Sequence, residues 1–353
     1  MAKLKVKKRK KRGKKRAGKT KLIRLPEIKI PDEFTLSHSS KKCLGGCRRK
    51  FLLRYLMRLR PTRVQIPLYI GSIFHDWIVK FYRGIDYEKP LRKFMKAEEK
   101  KALAQPGLSP EGEEKLVVGL ANMEAILLNY REYYAKDLKH YKVIGGEEDL
   151  QFEFPLTDRV KMGGKPDLLV ESRKKKEKGR KILWEHKTSS KLDKNYIARL
   201  PLDSQVTTYC VGCEHSVGIS PTDVMYNVAK KTKLRRRKKE TFHGFVKRVM
   251  EDYALRPEFY YYREPLIRDL SSQAELMAEL RVIAAQLERD FELKGQELIL
   301  AFWKNDGACA TWSGCEYLPI CLRGGLFPDM KRDFHVSKHR NPELAGDEEG
   351  EDD

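Results

Sequence analysis

The stretch GGKPDLLVESRKKKEKGRKILWEHKTSS, residues 163–190, decides the fold. Two apolar runs of strand length, VKMGGKPDLLVES and RKILWEHKTSS, flank a turn crowded with lysine and arginine. They read as neighbouring strands joined by a basic hairpin over 173–181. Side chains alternate across a strand, so Glu185 and Lys187 share one face while Ile182, Trp184 and His186 share the other. Asp167 lies on the preceding strand, so two acids and a lysine can converge at one end of a sheet. Two close carboxylates repel unless a cation lies between them, and oxygen ligands of this kind suit Mg²⁺ or Mn²⁺.

Working outward, VIGGEEDLQFEFPL precedes this pair as a further strand. Residues 203–216 (DSQVTTYCVGCEHS) follow as a helix with Asp203 as N-cap, and PTDVMYNVAK is another strand. Upstream, a helix is expected from about Cys47 to Arg60, ended by Pro61. In YIGSIFHDWIVKFYRG, Ile73, Trp77, Ile78 and Phe81 fall at helical spacing. Residues 85–110 are charged and contain Pro90, Pro106 and Pro110, which predicts loops and short helices. EEKLVVGLANMEAILLNYREYYAK reads as an amphipathic helix, and a last long helix spans about Ile267 to Leu293. Helix, strands, helix, strand is an α/β pattern.

The 353 residues carry a formal net charge of +23. Residues 1–24 hold 14 basic residues and no acid, whereas 343–353 hold seven acids and no base. A disordered basic tail is expected over 1–30, an ordered body over 31–330 beginning near Phe34, and an acidic tail over 331–353. The body keeps a basic excess, which points to a polyanionic partner. KKTKLRRRKKE, 230–240, adds eight basic residues. FYYYREP, 259–265, reads first as a strand packing its aromatics in the core, and second as a base-stacking surface. No secretory signal and no apolar run of membrane-spanning length stand in the sequence, so a cytoplasmic setting and no membrane partner are expected. Seven cysteines, an odd number, suit a reducing compartment and suggest metal or cluster ligation more than disulfides.

Four motifs in order resemble the PD-(D/E)XK nuclease superfamily, in its RecB-like branch. They are Gly71-Ser72-Ile73-Phe74-His75 as GxxxH, Gly164-Lys165-Pro166-Asp167, Glu185-His186-Lys187 as ExK, and Gln205 to Tyr209 as QxxxY. The resemblance covers about 36–323. It implies a restriction-endonuclease-like mixed central sheet flanked by helices, with an added helical region at 85–140 and a C-terminal loop at 300–323. It places His75, Asp167 and Glu185 on the metal, with His186 lending its backbone carbonyl and Lys187 as catalytic lysine. One of Glu147 and Glu148 takes the place of the family's upstream glutamate, with Glu148 preferred. Gln205 and Tyr209 share a helical face and support the lysine or hold phosphate.

Cys47 with Cys309, Cys315 and Cys321 resembles the [4Fe-4S] ligand set of the iron–sulfur members, such as the AddB nuclease domain and CRISPR-associated exonucleases. Zinc in a Cys₄ site is the competing metal. Cys43, one helical turn before Cys47, is an alternative ligand, and Cys210 and Cys213 read as helix packing.

The expected function is a metal-dependent DNA exonuclease acting on single-stranded ends, in a prokaryotic or phage-infected cell. Lys174, Lys175, Lys176, Arg235, Arg236 and Arg237 are expected to hold DNA phosphates. The sequence has no Walker A motif, so unwinding is left to a helicase or recombination partner. A catalytically silent nucleic-acid-binding scaffold of the same fold is the rival reading, and zinc stabilisation would suit it.

Overall fold

The computed structural model describes residues 28–62, 66–104, 109–310, 314–322 and 333–345. Ten strands lie in these residues: β1 Phe34–Leu36, β2 Leu59–Pro61, β3 Tyr141–Gly146, β4 Phe152–Pro155, β5 Val160–Gly164, β6 Leu168–Ser172, β7 Lys181–Ser189, β8 Asp223–Lys230, β9 Tyr261–Ile267 and β10 Phe334–Val336. The main sheet runs β3-β6-β7-β8-β9, a smaller one β1-β5-β4, and β10 pairs with β2. β7 and β8 are parallel while the other neighbours in the main sheet are antiparallel. A parallel pair needs a crossover, and the helix Ser204–Val217 lies within it.

Alternation along β7 sorts the core onto two faces. Leu183 joins Leu169, Val224, Tyr226 and Val228 beneath the Ser204–Val217 and Leu270–Phe291 helices. Ile182 and Trp184 join Leu168 and Val170 on the opposite face, with Phe74, Ile126 and Phe245. The central sheet is therefore covered on both sides, with apolar residues Ile182, Leu183 and Trp184 in the first half of β7 and the charged pair Glu185 and Lys187 in its second half.

Several elements differ from the sequence expectation. A capping box on Ser37 starts a helix at His38, which ends at Gly46. The chain then continues through Arg48–Phe51 and the π-turn Leu52–Leu56 into β2, turning at Arg58 with φ 56°. The single expected helix from Cys47 to Arg60 is thus several pieces. Residues Glu88–Ala104 form one helix of 17 residues, because Pro90 sits in the first turn, where no intrahelical N–H is lost. The helix Pro110–Tyr133 is buried continuously from Leu120 to Tyr130, packed by the helices Ile66–Tyr82, Glu88–Ala104 and Phe242–Leu255. It is an interior helix rather than an amphipathic surface one.

The two runs expected as single strands each divide between sheets. VIGGEEDLQFEFPL breaks into β3, a helical turn Glu147–Leu150, and β4. VKMGGKPDLLVES breaks at Lys165-Pro166-Asp167 as the chain passes from β5 to β6. Gly164 permits this crossing: a Cβ there would stand 2.6 Å from the Phe152 ring and 2.9 Å from that of Tyr209. In FYYYREP, Tyr260 and Tyr261 are buried and the Tyr261 hydroxyl donates to the Ile126 carbonyl at 2.8 Å, so these two belong to the core, whereas Phe259 is exposed and Tyr262 half-buried.

The tails are shorter than expected. Ile28 and Ile30 already pack against the core, and residues 1–27 lie outside the described residues. At the other end, β10 and residues up to Ala345 pack on the body, so of the acidic tail expected over 331–353 only 331–332 and 346–353 lie outside the described residues. No helix among the described residues is long and apolar enough to cross a membrane.

Candidate active site

Three segments meet at one end of β7. The helix Ile66–Tyr82 presents His75, the turn after β3 presents Glu147, and the β5–β6 crossing presents Asp167. His75 Nδ1 lies 3.1 Å from Asp167 Oδ1 and 3.8 Å from Glu147 Oε1. These three side chains hold ligand atoms within 4.8 Å of one another, and they form the only such trio among the described residues. The carboxylate facing His75 is that of Glu147, not the preferred Glu148. Glu147 is the first residue of a helical turn, which aims it at the helix carrying His75. Glu148 lines the same cleft but forms no part of the trio.

Asp167 Oδ2 accepts the His186 backbone N–H at 2.6 Å, which clamps the start of β6 to β7. Glu185 is fully buried, and neither of its oxygens receives a well-directed hydrogen bond. Its partner is the Lys187 ammonium on the same strand face, as the alternation requires. Lys187 Nζ also donates to Gln205 Oε1 at 3.1 Å, and Gln205 Nε2 donates to the Tyr209 hydroxyl at 2.8 Å. Asp203 caps this helix through the Gln205 N–H at 3.0 Å, and its other oxygen accepts the Tyr226 hydroxyl at 2.8 Å. Tyr226 sits opposite Glu185 in the β7/β8 register. Sequence reasoning identified Asp203 only as a cap and passed over Tyr226.

The electrostatics follow from burial and crowding. Burial pushes Glu185 up to about 8, assisted by the Asp167 charge and only partly offset by Lys187. Burial and Asp167 likewise lift Glu147 to about 7. Burial pulls His75 down, but its contact with Asp167 reverses this and raises it to about 9. Burial opposes the Asp167 charge, yet His75 and the His186 ring hold that carboxyl well below its usual range. Burial also opposes the charge on Lys187, but Glu185 and Asp167 raise its pKa and keep it protonated. Buried acids driven toward protonation, one with orphaned oxygens, mark a place where a divalent cation fits. His75, Glu147, Asp167 and Glu185 supply a nitrogen and hard oxygens suited to Mg²⁺ or Mn²⁺.

The site opens into a cleft of about 850 Å³, and Lys80, Arg83 and Lys165 line it. Ser72, His75, Asp76 and Val79 share one face of the helix Ile66–Tyr82 at i, i+3, i+4 and i+7, and Arg83 follows just past its last residue, a spacing that could have singled it out. The expected basic hairpin is not at this end. β6 pairs with β7 so that Leu168 faces Trp184 and Glu171 faces Lys181, which puts the turn at the end of the sheet away from Asp167. Lys174, Lys175 and Lys176 are therefore remote from the cleft, and Lys174 stands over the Tyr141 ring at 4.8 Å. Arg235, Arg236 and Arg237 follow β8, which leaves the sheet beside Ser189, at the same end as Lys187. Arg236 is engaged by Glu114.

The cysteine-bearing ends of the body also meet. Asn305 Nδ2 donates to the Gly46 carbonyl at 2.8 Å, Arg49 N–H to Trp303 at 2.9 Å, and Lys50 pairs with Glu316 at 3.0 Å. Cys47, Cys309, Cys315 and Cys321 are each half-buried in these segments, and burial raises the Cys315 and Cys321 thiols above the usual range. No three of these thiols stand within 4.8 Å of one another among the described residues. A tetrahedral zinc site with Zn–S near 2.3 Å needs sulfurs roughly 3.8 Å apart. A cubane, with an iron at each attachment corner, spreads its thiolates more widely. Cys210 and Cys213 are fully buried within the Ser204–Val217 helix, where burial pushes the Cys213 thiol to about 12, so both pack as small apolar groups.

The family model for the PD-(D/E)XK nuclease superfamily matches residues 35–322. The chain belongs to the PD-(D/E)XK nuclease superfamily. The mixed sheet flanked by helices is consistent with the restriction-endonuclease-like fold of these nucleases. Membership makes this a metal-dependent nuclease with nucleic acid as its substrate class. No curated protein matches the chain significantly.

Proposed function

We propose that this nuclease hydrolyses phosphodiester bonds of DNA, working as an exonuclease on single-stranded ends and leaving 5′-phosphate and 3′-hydroxyl termini. The observation that carries the reading is the convergence of His75, Glu147, Asp167, Glu185 and Lys187 at one end of β7, beside a cleft that also carries Lys80, Arg83 and Lys165. His75, Asp167, Glu185 and Glu147 would hold Mg²⁺ or Mn²⁺, with the His186 carbonyl as a further oxygen. When bound, the cation offsets negative charge developing on the phosphoryl group. Lys187, protonated between Glu185 and Gln205, orients the attacking water and stabilises the charge gathering on the phosphate oxygens. Gln205 fixes the lysine, and Tyr209 fixes Gln205. Lys80, Arg83 and Lys165, with the 230–239 segment, receive the backbone phosphates. DNA-end processing in recombination, repair or phage replication, beside a helicase or recombination partner, is the setting that fits.

The test is incubation of anaerobically purified protein with end-labelled single-stranded DNA, with and without Mn²⁺, beside Glu185→Ala and Lys187→Ala. Cation-dependent digestion by the wild type alone supports the reading, and the label pattern gives polarity. Binding without cleavage under every metal assigns the chain to a silent scaffold instead.

The family resemblance also supports a [4Fe-4S] cluster on Cys47, Cys309, Cys315 and Cys321, stapling the ends of the body across the nuclease core. The meeting of these two ends is what either this cluster or a Cys₄ zinc site would need. Iron and sulfide analysis of anaerobic protein tests this, and a colourless protein with stoichiometric zinc overturns it.

A further inference from the structure

The family match ends at residue 322, yet the chain returns to the cleft beyond it. β10 pairs with β2, and Arg340 Nη1 donates to the carbonyls of Tyr55 and Leu56 at 3.1 and 2.6 Å. Asn341 Nδ2 donates to the Thr35 carbonyl at 2.5 Å. These anchors deliver Glu343, Leu344 and Ala345 to the cleft wall. The Ser37 hydroxyl donates to the Glu343 carboxylate, Gln151 Nε2 to the Leu344 carbonyl at 3.3 Å, and Lys165 Nζ to the Ala345 carbonyl at 3.0 Å. Glu343, Leu344 and Ala345 line the same cavity as His75, Asp167 and Lys187.

The groups they engage are ones a nucleic-acid phosphate would seek. Ser37 caps the helix His38–Gly46, so Glu343 places its negative charge at a positive helix end. Lys165, two residues before Asp167, already gives a hydrogen bond to Ala345. The sequence then continues as GDEEGEDD, with six acids in residues 346–353, outside the described residues. Eight residues extend at most about 29 Å, enough to cross the cavity from Ala345. The wall they would meet carries Lys80, Arg83, Lys165 and Lys187, interleaved with the acids Asp76, Glu147, Glu148 and Asp167, so the cations rather than the wall as a whole are what the segment would engage.

We propose that the cleft is the docking surface for the chain's own acidic C-terminal segment, residues 343–353, which holds the path of the nucleic-acid backbone until substrate displaces it. The proposal rests on the reading of the cleft as the nucleic-acid channel. The strap from β10 to Asn341 is the anchor, Glu343 is the first anion in place, and the acids beyond it are the competing polyanion. The basic residues 3–24 are the other acceptor the chain could offer, and the test separates the two.

Carbodiimide joins carboxylates to amines in direct contact, so the full chain is stripped of divalent cations with EDTA, exchanged into buffer free of carboxylates and amines, cross-linked, and the linked peptides are read by mass spectrometry. The expected links run from acids within 347–353 to Lys80, Lys165 or Lys187, and a single-stranded oligonucleotide abolishes them. Links confined to lysines 3–21 or to lysines away from the cleft, or no links at all, overturn the proposal. So does persistence of the cleft links under saturating oligonucleotide. Independently, a chain lacking 346–353 should cleave with a KM roughly threefold to tenfold lower and kcat unchanged, the difference shrinking as salt screens it. An unchanged KM overturns the proposal. Cleft links lost to oligonucleotide in a protein that cleaves nothing leave the docking standing and remove the nuclease reading. Cleavage without cleft links does the reverse.

Discussion

The Lys187 ammonium donates to the Gln205 side-chain carbonyl at 3.1 Å, and the Gln205 amide donates in turn to the Tyr209 hydroxyl at 2.8 Å. The lysine is thereby held from two sides, by Glu185 on its own strand and by a helix that crosses the sheet. Lys187→Ala removes the charge itself and should lower kcat on an oligonucleotide by about 10²–10³-fold, the usual loss for one preorganised electrostatic donor. Gln205→Ala keeps the charge and loses only its aim, so a smaller loss, roughly tenfold, is expected with KM nearly unchanged. Steady-state kinetics on a labelled single strand compares the two. Equal losses would mean that Gln205 touches the substrate rather than positioning the lysine.

A cation should stabilise the fold as well as enable the chemistry. Glu185 is buried with neither oxygen well bonded, close to Asp167, and a cation would remove the cost of that arrangement. Mn²⁺ at about 100 times its Kd should add roughly 2.7 kcal/mol, a rise of several degrees in the unfolding midpoint. Asp167→Asn should abolish most of that rise. Thermal unfolding of both proteins with and without Mn²⁺ reads this, and an equal rise in both would place the cation elsewhere.

Much of this site was legible because strand and helix periodicities act locally. Glu185 and Lys187 had to share a face, and Gln205 and Tyr209 had to share a helix side, whatever the tertiary structure. The ends of the strands were not legible. Nothing local says that the run through Lys165-Pro166-Asp167 leaves one sheet for another, or that Glu147 opens a helical turn. The choice between Glu147 and Glu148 depends on that turn. The basic hairpin misled for a related reason: adjacency in sequence to Asp167 and Glu185 is not adjacency in space, since a hairpin closes the far ends of its strands. The strap at 333–345 escaped because the acidic run that follows it reads as a solvated tail, while its own anchors, Arg340 and Asn341, bind backbone carbonyls distant in sequence.

Gly212 tests how tightly the crossover helix is seated. A Cβ there would stand 2.0 Å from the Phe152 ring, which is stacked against Phe154. The ring is buried against the same helix face, so it has little room to retreat. Gly212→Ala should destabilise by about 1–3 kcal/mol through overpacking, although alanine is the better helix former. Denaturant unfolding measures it. A gain in stability would show that Phe152 can rotate away.

Glu124 gives a pH dependence far from the catalytic groups. It lies on the buried face of the Pro110–Tyr133 helix, with Arg92 Nη1 at 3.0 Å. Burial raises its carboxyl to about 7, with Arg92 offsetting only part and Glu99 adding to the rise. A folded-state value above the unfolded 4.5 means that the folded protein binds this proton more tightly. The stability it contributes is fully present below pH 4.5 and is lost as pH rises through about 7. Glu124→Gln keeps the shape and removes the titration. The variant should therefore match the wild type near pH 4.5 and exceed it at pH 8 by roughly 1–2 kcal/mol, a few degrees in the midpoint. Unfolding midpoints of both proteins from pH 4.5 to 8.5 measure the difference. Curves that stay parallel would mean that Arg92 keeps Glu124 ionised throughout, so that the ion pair outweighs burial at this position.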